Sequence, residues 1–239
     1  MKKTAAIVLA GGRGKRMGSD TPKQYIEIGG FPLIYYSLKA FQESFVERVV
    51  LVCGEGDTEY CRTDIVEKYG FTKVVSVTAG GRERYHSVYN GLQALKGLTG
   101  DNEREIVFIH DGARPFVNGD IIKRSYEAAA ENHAAVVALP AKDTIKLADE
   151  DGFAKETIPR DRVWLMQTPQ VFDLDIISDA YSRLIEAEDD LIKRGVLVTD
   201  DAMVLELFSD IRVKLVEGDH RNIKVTTPED LVLANSFLL

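Results

Sequence analysis

The sequence is poor in cysteine, lacks long apolar runs and has no excess of positive charge. Two cysteines among 239 residues, Cys53 and Cys61, support neither a disulfide framework nor a thiolate zinc site. No stretch approaches the roughly 18 apolar residues that cross a membrane. Lys and Arg number 30 against 38 Asp and Glu, and this net charge of −8 argues against a general nucleic-acid binder. We therefore expect a soluble protein of a reducing compartment, the cytoplasm.

The overall composition is that of a globular protein with a full core. Hydrophobic residues make up 45% of the chain and charged residues 28%, which excludes disorder, collagen and coiled coil. The length suits one large domain or two small ones. The start, Met-Lys-Lys and then the apolar stretch Thr4–Ala10, shares features with a signal peptide. That stretch is barely long enough and a glycine-rich loop follows it at once, so a short buried strand is the better interpretation.

Short apolar runs alternate with helical segments over the first 140 residues. Each run is continuous rather than alternating, which is typical of a strand covered on both faces. The predicted strands are Ala5–Leu9, Val49–Cys53, Val74–Thr78, Ile106–Ile109 and Ala134–Leu139. The predicted helices between them are Pro32–Phe41, Asp57–Tyr69, Arg84–Leu95 and Asp120–Asn132. This alternation predicts an α/β fold, Rossmann-like, with a mostly parallel sheet flanked by helices.

The strand–helix alternation breaks after Pro140. In residues 141–164, 11 of the 24 residues are charged, and Asp149-Glu-Asp-Gly152 is a turn sequence between two β-prone arms. We predict an inserted β-hairpin arm here, and expect a second subunit as its partner, which makes the protein a homodimer. The elements predicted after the arm are the helices Asp173–Glu188 and Thr199–Leu207, a strand Arg212–Val216 and a final helix from Thr227. The expected organisation is one domain, residues 1–239, with the arm at 141–164.

A basic, glycine-rich loop follows the first predicted strand. Six of the first 23 residues are Lys or Arg against one acid, and four glycines stand between positions 11 and 18. Glycine lets main-chain N–H groups approach an anion closely, and parallel sheets bind ligands at the carboxyl ends of their strands. Arg16 stands where a P-loop needs Ser or Thr, and Met17 where a dinucleotide fingerprint needs Gly. We therefore predict a phosphate site of another kind, with a solvated basic turn as the alternative.

The loop resembles the signature loop of sugar-nucleotide and polyol-phosphate nucleotidyltransferases. Six further motifs follow in order: Gly80-Gly-Arg-Glu-Arg84 with Ser87, His110-Asp-Gly-Ala-Arg-Pro115, Lys142-Asp-Thr-Ile-Lys146, Gln167-Thr-Pro-Gln170, Thr199-Asp200, and Asn222-Ile-Lys-Val-Thr-Thr-Pro-Glu-Asp230. Together they resemble the 2-C-methyl-D-erythritol 4-phosphate cytidylyltransferase family, from about residue 5 to the C-terminus. Ribitol-5-phosphate cytidylyltransferases are the alternative, and Lys142 and Lys146 favour the first family. Gly112 departs from the Ala or Ser usual at its position.

The resemblance implies transfer of CMP from CTP to 2-C-methyl-D-erythritol 4-phosphate, with release of pyrophosphate, in non-mevalonate isoprenoid precursor synthesis. The nucleophile is a phosphate monoester, which is already ionised at neutral pH and needs no general base. Cations and positioning should dominate, because two polyanions must meet. Mg²⁺ bridging the CTP phosphates is the implied cofactor, with no protein ligand named. A silent nucleotide-binding scaffold that dimerises through the arm is the alternative from another functional class.

The resemblance also assigns roles to individual residues. The implied catalytic residues are Arg16, Lys23 and Lys224, and the implied nucleotide-binding residues are Ala10, Gly11, Gly12, Gly81 and Ser87. The implied substrate-binding residues are Asp111, Arg114, Thr144, Arg160 and Thr168. Thr144 and Arg160 would act across a dimer interface, and Arg162 is an alternative to Arg160. The structural alternatives are exposed loop cations, an Asp111–Arg114 pair that closes a turn, and a solvated hairpin.

Overall fold

The computed structural model describes residues 2–12, 21–98 and 104–238. The strands of these residues are β1 (Lys3–Ala10), β2 (Glu27–Ile28), β3 (Phe31–Pro32), β4 (Arg48–Cys53), β5 (Val74–Ala79), β6 (Glu105–Asp111), β7 (Ala134–Pro140), β8 (Ile145–Ala148), β9 (Ala154–Ile158), β10 (Trp164–Asp173) and β11 (Lys214–Glu217). The helices are α1 (Leu33–Glu43), α2 (Thr58–Tyr60, continued by a wider helix over Cys61–Glu67), α3 (Arg84–Lys96), α4 (Gly119–Asn132), α5 (Leu174–Glu186), α6 (Glu188–Lys193), α7 (Asp201–Phe208) and α8 (Pro228–Ser236).

Seven of the described strands form one central sheet, in the order β11-β7-β10-β6-β1-β4-β5. β1 pairs in parallel with β4 and β6, and the β4–β5 and β7–β11 pairs are also parallel. All five strands predicted before residue 140 are present. The mostly parallel sheet predicted from the alternating pattern is therefore confirmed, and β1, where a signal peptide was considered, lies in its middle.

One strand of the sheet was missed by the sequence prediction. β10 lies between β6 and β7 and is antiparallel to both. Strand signals in the middle of a sheet are apolar runs, whereas the buried part of β10 includes Gln167, Thr168 and Gln170, and a proline stands at position 169. The polar side chains are tolerated because they are hydrogen-bonded, and the register shifts between Met166 and Gln170, around the proline.

Helices cover both faces of the sheet and bury two apolar layers. On one face, α1, the wider helix after α2, and α4 pack around Leu38, Phe41 and Phe108. On the other, α3, α5 and α7 pack around Leu92 and Tyr181. In α3, the apolar side chains of Val88, Leu92 and Leu95 recur in the sequence at i, i+4 and i+7, which predicts an inward face, and all three are buried in this layer. Burial of each such large side chain stabilises the fold by about 1.5–3 kcal/mol.

The helix boundaries follow local capping chemistry. The Asp200 carboxylate accepts the N–H of Met203 and caps α7. The helix therefore begins at Asp201, two residues after the predicted start at Thr199. Thr227 and Asp230 form the capping box of α8, as the Thr-Pro-Glu-Asp sequence predicts. The predicted helix Asp173–Glu188 ends at Glu186, and α6 follows as a separate helix. None of the helices in the described parts of the chain is long and apolar enough to span a bilayer.

The predicted hairpin arm is present as a small sheet of its own. β8 pairs antiparallel with β9, and Ile145 lies opposite Ile158. The Asp149 carboxylate accepts main-chain N–H groups in the turn, and Gly152 has a φ of +85°, which glycine adopts without strain. Phe153 at the tip is 71% exposed. The arm therefore presents an apolar side chain to its surroundings.

Candidate active site

The carboxyl ends of β1, β4 and β6 meet at one edge of the sheet. Register places Ala10, the last residue of β1, beside Cys53 of β4, and Leu9 beside Asp111 of β6. Gly11 and Gly12 follow Ala10 directly, so the start of the glycine loop and Asp111 are neighbours. This is the edge at which parallel α/β sheets bind ligands. Arg16, predicted as a catalytic cation in the same loop, lies outside the described residues.

The main chain around Gly80 and Gly81 packs too tightly for any larger residue. The Gly80 N–H donates to the Cys53 carbonyl, and a Cβ on Gly80 would lie 2.6 Å from the Ser87 hydroxyl oxygen. A Cβ on Gly81 would collide with the His86 side chain. The Gly81 N–H donates to the Ser87 hydroxyl, which donates to the Glu83 carbonyl. Gly81 and Ser87, two predicted nucleotide-binding residues, therefore form one bonded loop beside the end of β4.

Asp111 is the centre of a buried ion cluster. Its Oδ1 accepts the Nε–H of Arg84 at 3.2 Å, and its Oδ2 accepts the Lys224 ammonium at 2.6 Å. Burial alone would raise the pKa of Asp111, but the charges of Arg84 and Lys224 outweigh it and hold that pKa well below its usual range. Asp111 is therefore an ionised carboxylate at neutral pH, with one cation on each oxygen.

Arg84 links Asp111 to a second, deeper carboxylate. Its two terminal nitrogens each donate to an oxygen of Asp201 at 2.8 Å, in a bidentate pair. Asp201 is fully buried and also accepts the Tyr181 hydroxyl. Sequence reasoning missed Asp201 and Tyr181 and noted Arg84 only as part of a motif. The one signal in the sequence is an acid at the start of the apolar helix α7, directly after the capping residue Asp200.

Lys23 lies beside Gly12, at the start of the glycine loop. It begins a short turn of helix, Lys23–Tyr25, and its ammonium donates to the Val225 carbonyl at 3.4 Å. A Cβ on Gly12 would lie 3.8 Å from the Lys23 side chain. Val225 follows Lys224 directly, and its N–H donates to the Ala113 carbonyl. The structure therefore brings Lys23, Lys224 and Asp111 to one edge, as the sequence predicted.

Thr168 and His110 support Asp111 from behind. The Asp111 N–H donates to the Thr168 hydroxyl, and that hydroxyl lies 3.0 Å from Nδ1 of His110. The other ring nitrogen of His110 faces the Arg114 carbonyl, which can only accept, so Nε2 carries the proton and Thr168 donates to Nδ1. Burial lowers the pKa of His110 to about 4, which keeps the ring neutral. In this arrangement the Thr168 hydroxyl uses its one proton in the hydrogen bond to His110.

Arg114 joins two segments of the site through main-chain carbonyls. Its guanidinium donates to the carbonyls of Asn222 and Met166. The buried Asn222 amide donates to Gln167 and to the Thr168 carbonyl. Burial lowers the pKa of Arg114. Arg114 thus ties β10 to the segment that carries Lys224, while the turn-closing bond between Asp111 and Arg114 is made by the main chain.

The predicted arm residues lie apart from the central sheet. Thr144 and Arg160 are both exposed, and the Arg160 guanidinium donates to the Lys142 carbonyl at the base of the arm. Their predicted role requires a second chain, so one chain by itself does not bring them to the edge that holds Asp111.

The side chains at this edge suit anions. In the described parts of the chain, no three His, Cys, Asp or Glu side chains form a group that could hold a metal ion. Both oxygens of Asp111 receive cationic donors. Mg²⁺ typically binds phosphate oxygens and water, so these residues fit an ion that arrives on a polyphosphate. A groove of about 730 Å³ lies elsewhere, along β5 beside Phe71; convergent charge rather than cavity size marks the candidate site.

Comparisons with known proteins agree with this geometry. The family model described as IspD, 2-C-methyl-D-erythritol 4-phosphate cytidylyltransferase, matches residues 4–239. The chain is 48% identical over 234 residues to the protein of that name from Lachnospira eligens, covering 98% of each. It is 44% identical over 235 residues to the one from Caldanaerobacter subterraneus, again covering 98% of each.

Solved structures give the same result. A 4-diphosphocytidyl-2C-methyl-D-erythritol synthase from Anaerococcus prevotii matches with a TM-score of 0.82 and 33% identity, over 99% of this chain and 96% of that one. The 2-C-methyl-D-erythritol 4-phosphate cytidylyltransferase of Francisella tularensis matches with a TM-score of 0.76 and 30% identity, over 98% and 99% of the two chains.

Proposed function

This chain belongs to the 2-C-methyl-D-erythritol 4-phosphate cytidylyltransferase family and transfers CMP from CTP to 2-C-methyl-D-erythritol 4-phosphate, and we propose how its own residues do so. The products are pyrophosphate and 4-diphosphocytidyl-2-C-methyl-D-erythritol, an isoprenoid precursor. The observation that carries the proposal is the meeting of Lys23, Lys224 and the ionised Asp111 at the carboxyl edge of the sheet. These residues surround the start of the glycine loop.

In the proposed mechanism, Arg16 and Lys23 contact the triphosphate and stabilise the transition state, and Lys224 lies beside the α-phosphate. The attacking oxygen belongs to a phosphate monoester that is ionised at neutral pH, so no residue removes a proton from it. Each cation lowers the repulsion between the two anionic substrates and offsets the charge that develops at phosphorus. The position of Lys23 against Gly12 supports this role.

We propose that Asp111 accepts a hydrogen bond from a hydroxyl of the acceptor substrate. Its low pKa supports this, since an ionised carboxylate is purely an acceptor. Lys224 occupies Oδ2. When Lys224 turns to the reacting phosphate, Oδ2 becomes free for the polyol. Thr168 is proposed to line the same substrate pocket, and Arg114 to form its polar wall.

The nucleotide is proposed to lie between two glycine segments. The main chain of Ala10, Gly11 and Gly12 cradles the phosphates, and Gly81 with Ser87 lines the cytosine and ribose pocket. The Gln24 amide donates to the Ala10 carbonyl, which supports a rigid first segment. CTP is proposed to bind together with Mg²⁺, which would supply further charge neutralisation at the phosphates.

The functional unit is proposed to be a cytoplasmic homodimer, each chain one nucleotidyltransferase domain whose arm, residues 141–164, reaches the other chain. Thr144 and Arg160 would then contact the acceptor in the neighbouring site, where an arginine fork suits a phosphate dianion. The exposed Phe153 and Leu147 of the arm, 71% and 47% accessible, support an interface in which they are covered.

The direct test is pyrophosphate release from CTP and Mg²⁺, with 2-C-methyl-D-erythritol 4-phosphate and D-ribitol 5-phosphate compared in parallel. We expect turnover with the first substrate and little with the second. Equal turnover with ribitol 5-phosphate would show that Lys142 and Lys146 do not discriminate between the acceptors. Release with neither would leave a nucleotide-binding scaffold.

A further inference from the structure

Four charged side chains form a continuous row from the core of the protein to the active edge, the edge of the sheet at which the carboxyl ends of β1, β4 and β6 form the candidate site. Their order is Asp201, Arg84, Asp111 and Lys224, and their signs alternate. The inner end is fully buried, while the Lys224 side chain is 39% exposed. Arg84 and Asp111, the two middle residues of the row, each bond to both of their neighbours. A shift of either one therefore changes the electrostatic field at its neighbours.

We propose that Arg84 is a positioning residue for CMP transfer, which holds Asp111 so that Lys224 can pass from the carboxylate to the reacting phosphate. This inference rests on the proposed role of Lys224 in the reaction. Arg84 is anchored by the bidentate pair with Asp201 and by the hydrogen bond of Tyr181 to that carboxylate. Its third donor, Nε–H, is thereby aimed at Oδ1 of Asp111.

The electrostatic argument concerns how strongly Asp111 holds Lys224. A carboxylate with a single cation binds that cation more strongly than one whose charge is shared between two. Arg84 takes one oxygen of Asp111 and shares its charge. The Lys224 ammonium can then exchange Asp111 for a phosphate oxygen at a lower cost. Without Arg84, Lys224 would stay paired with Asp111, and less of its charge would reach the transition state.

The place of Arg84 in the chain adds a second argument. It is the first residue of α3, between Gly81 and Ser87, which belong to the proposed nucleotide pocket. The same side chain reaches Asp111 on the acceptor side. Arg84 therefore sets the position of Asp111, and through it that of Lys224, relative to the nucleotide pocket, and small errors in such alignment are costly for a reaction between two bound substrates.

The test separates positioning from folding. Arg84→Met leaves Asp201 buried without its partner, so it should lose both stability and turnover. Arg84→Met/Asp201→Asn removes that buried charge and should regain most of the thermal stability while kcat stays about 100-fold below the wild-type value, with KM for CTP within about threefold. Recovery of kcat together with stability would overturn the proposal.

A matched control is available at the opposite end of the strands. Arg48 pairs with the buried Glu105 at the starts of β4 and β6, one of its terminal nitrogens donating to both carboxylate oxygens. Arg48→Met and Arg48→Met/Glu105→Gln change the same groups in the same way, far from the active edge. Both should keep kcat within about twofold of wild type at a temperature where they are folded. An equal loss of kcat in this pair would mean that any broken buried pair slows the enzyme, and would overturn the proposal.

A double-mutant cycle tests whether Arg84 acts through Lys224. In a Lys224→Gln background, Arg84→Met/Asp201→Asn should lower kcat by less than about threefold, because the residue it positions is already gone. Full additivity would overturn the proposal. Lys224→Gln alone reports on the proposed mechanism: if that variant keeps wild-type turnover, the role given to Lys224 is wrong irrespective of Arg84.

Discussion

The ammonium of Lys224 lies 2.6 Å from a carboxylate oxygen of Asp111, although one residue ends a central strand and the other follows the last strand of the sheet. The pair neutralises both side chains at the candidate site. In the proposed mechanism, a phosphate of the substrates replaces Asp111 as the partner of Lys224. A cation held near its working position pays less reorganisation at the moment of reaction than one drawn from solvent.

Lys23→Ala should abolish most of the turnover without unfolding the protein. The Lys23 side chain lies beside Gly12, and loss of one group that stabilises transition-state charge costs about 100- to 1000-fold in kcat. Pyrophosphate release and a thermal melt of the same sample measure the two properties. Lys39→Ala is the control, since Lys39 is an exposed cation paired with Glu43 on the surface of α1. A Lys23→Ala protein with normal turnover would contradict the role given to Lys23.

Asp111→Asn should destabilise the protein more at pH 7 than at pH 3. The folded state depresses the pKa of Asp111, so its ionised form stabilises the fold above the ordinary carboxylate pKa of about 4. That contribution is lost as pH falls below 4 toward the folded pKa. We expect a loss of about 3 kcal/mol at pH 7, because Lys224 loses its carboxylate partner and Arg84 keeps only its pair with Asp201.

Urea unfolding of the wild type and Asp111→Asn at pH 7 and pH 3 measures this difference. Asp179→Asn serves as the control, because Asp179 forms only an exposed pair with Arg183 and should change stability by less than about 1 kcal/mol at either pH. A stability difference for Asp111→Asn that is the same at pH 7 and pH 3 would contradict the assigned charge.

Gly112→Ala should destabilise this protein. A Cβ on Gly112 would collide with the Ile34 side chain and lie 2.9 Å from the Leu9 carbonyl oxygen. We expect a loss of about 1–3 kcal/mol by urea unfolding, and partial recovery in Gly112→Ala/Ile34→Val, which removes the colliding methyl group. Gly97→Ala is the control, because a Cβ there meets only ordinary contacts at 3.7 Å. No recovery in the double variant would assign the strain to the Leu9 carbonyl.

Mixing two inactive variants should restore activity if Arg160 acts across the dimer. Lys23→Ala removes a residue of a chain's own site, and Arg160→Ala removes one that the arm supplies to the other site. A mixed dimer then contains one site with both residues intact, so random mixing gives about a quarter of wild-type turnover. If Arg160 served its own chain, the mixture would stay inactive. Sedimentation should give about twice the chain mass of 26.6 kDa.

Much of the fold was predictable because local patterns in the amino-acid sequence specify it. The five apolar runs before residue 140 became strands of the sheet, and the inward face of α3 follows from its 3.6-residue period. The turn sequence Asp149–Gly152 predicted the arm. Motif resemblance identified Lys23, Asp111 and Lys224, and strand ends in a parallel sheet explain why they meet. The catalytic roles of these residues stay predictions.

The sequence by itself therefore determined the strand–helix order before residue 140, the arm and the cations of the active edge, since each depends on residues close together in sequence. Tertiary structure alone decided what depends on contacts between distant segments. Polar β10 became a central strand only because Gln167 and Gln170 found partners elsewhere in the chain. Asp201 became the buried anchor of Arg84 only because α3, α5 and α7 pack together. A buried charge is stable only beside its partner, and which partner it meets is a property of the packed molecule.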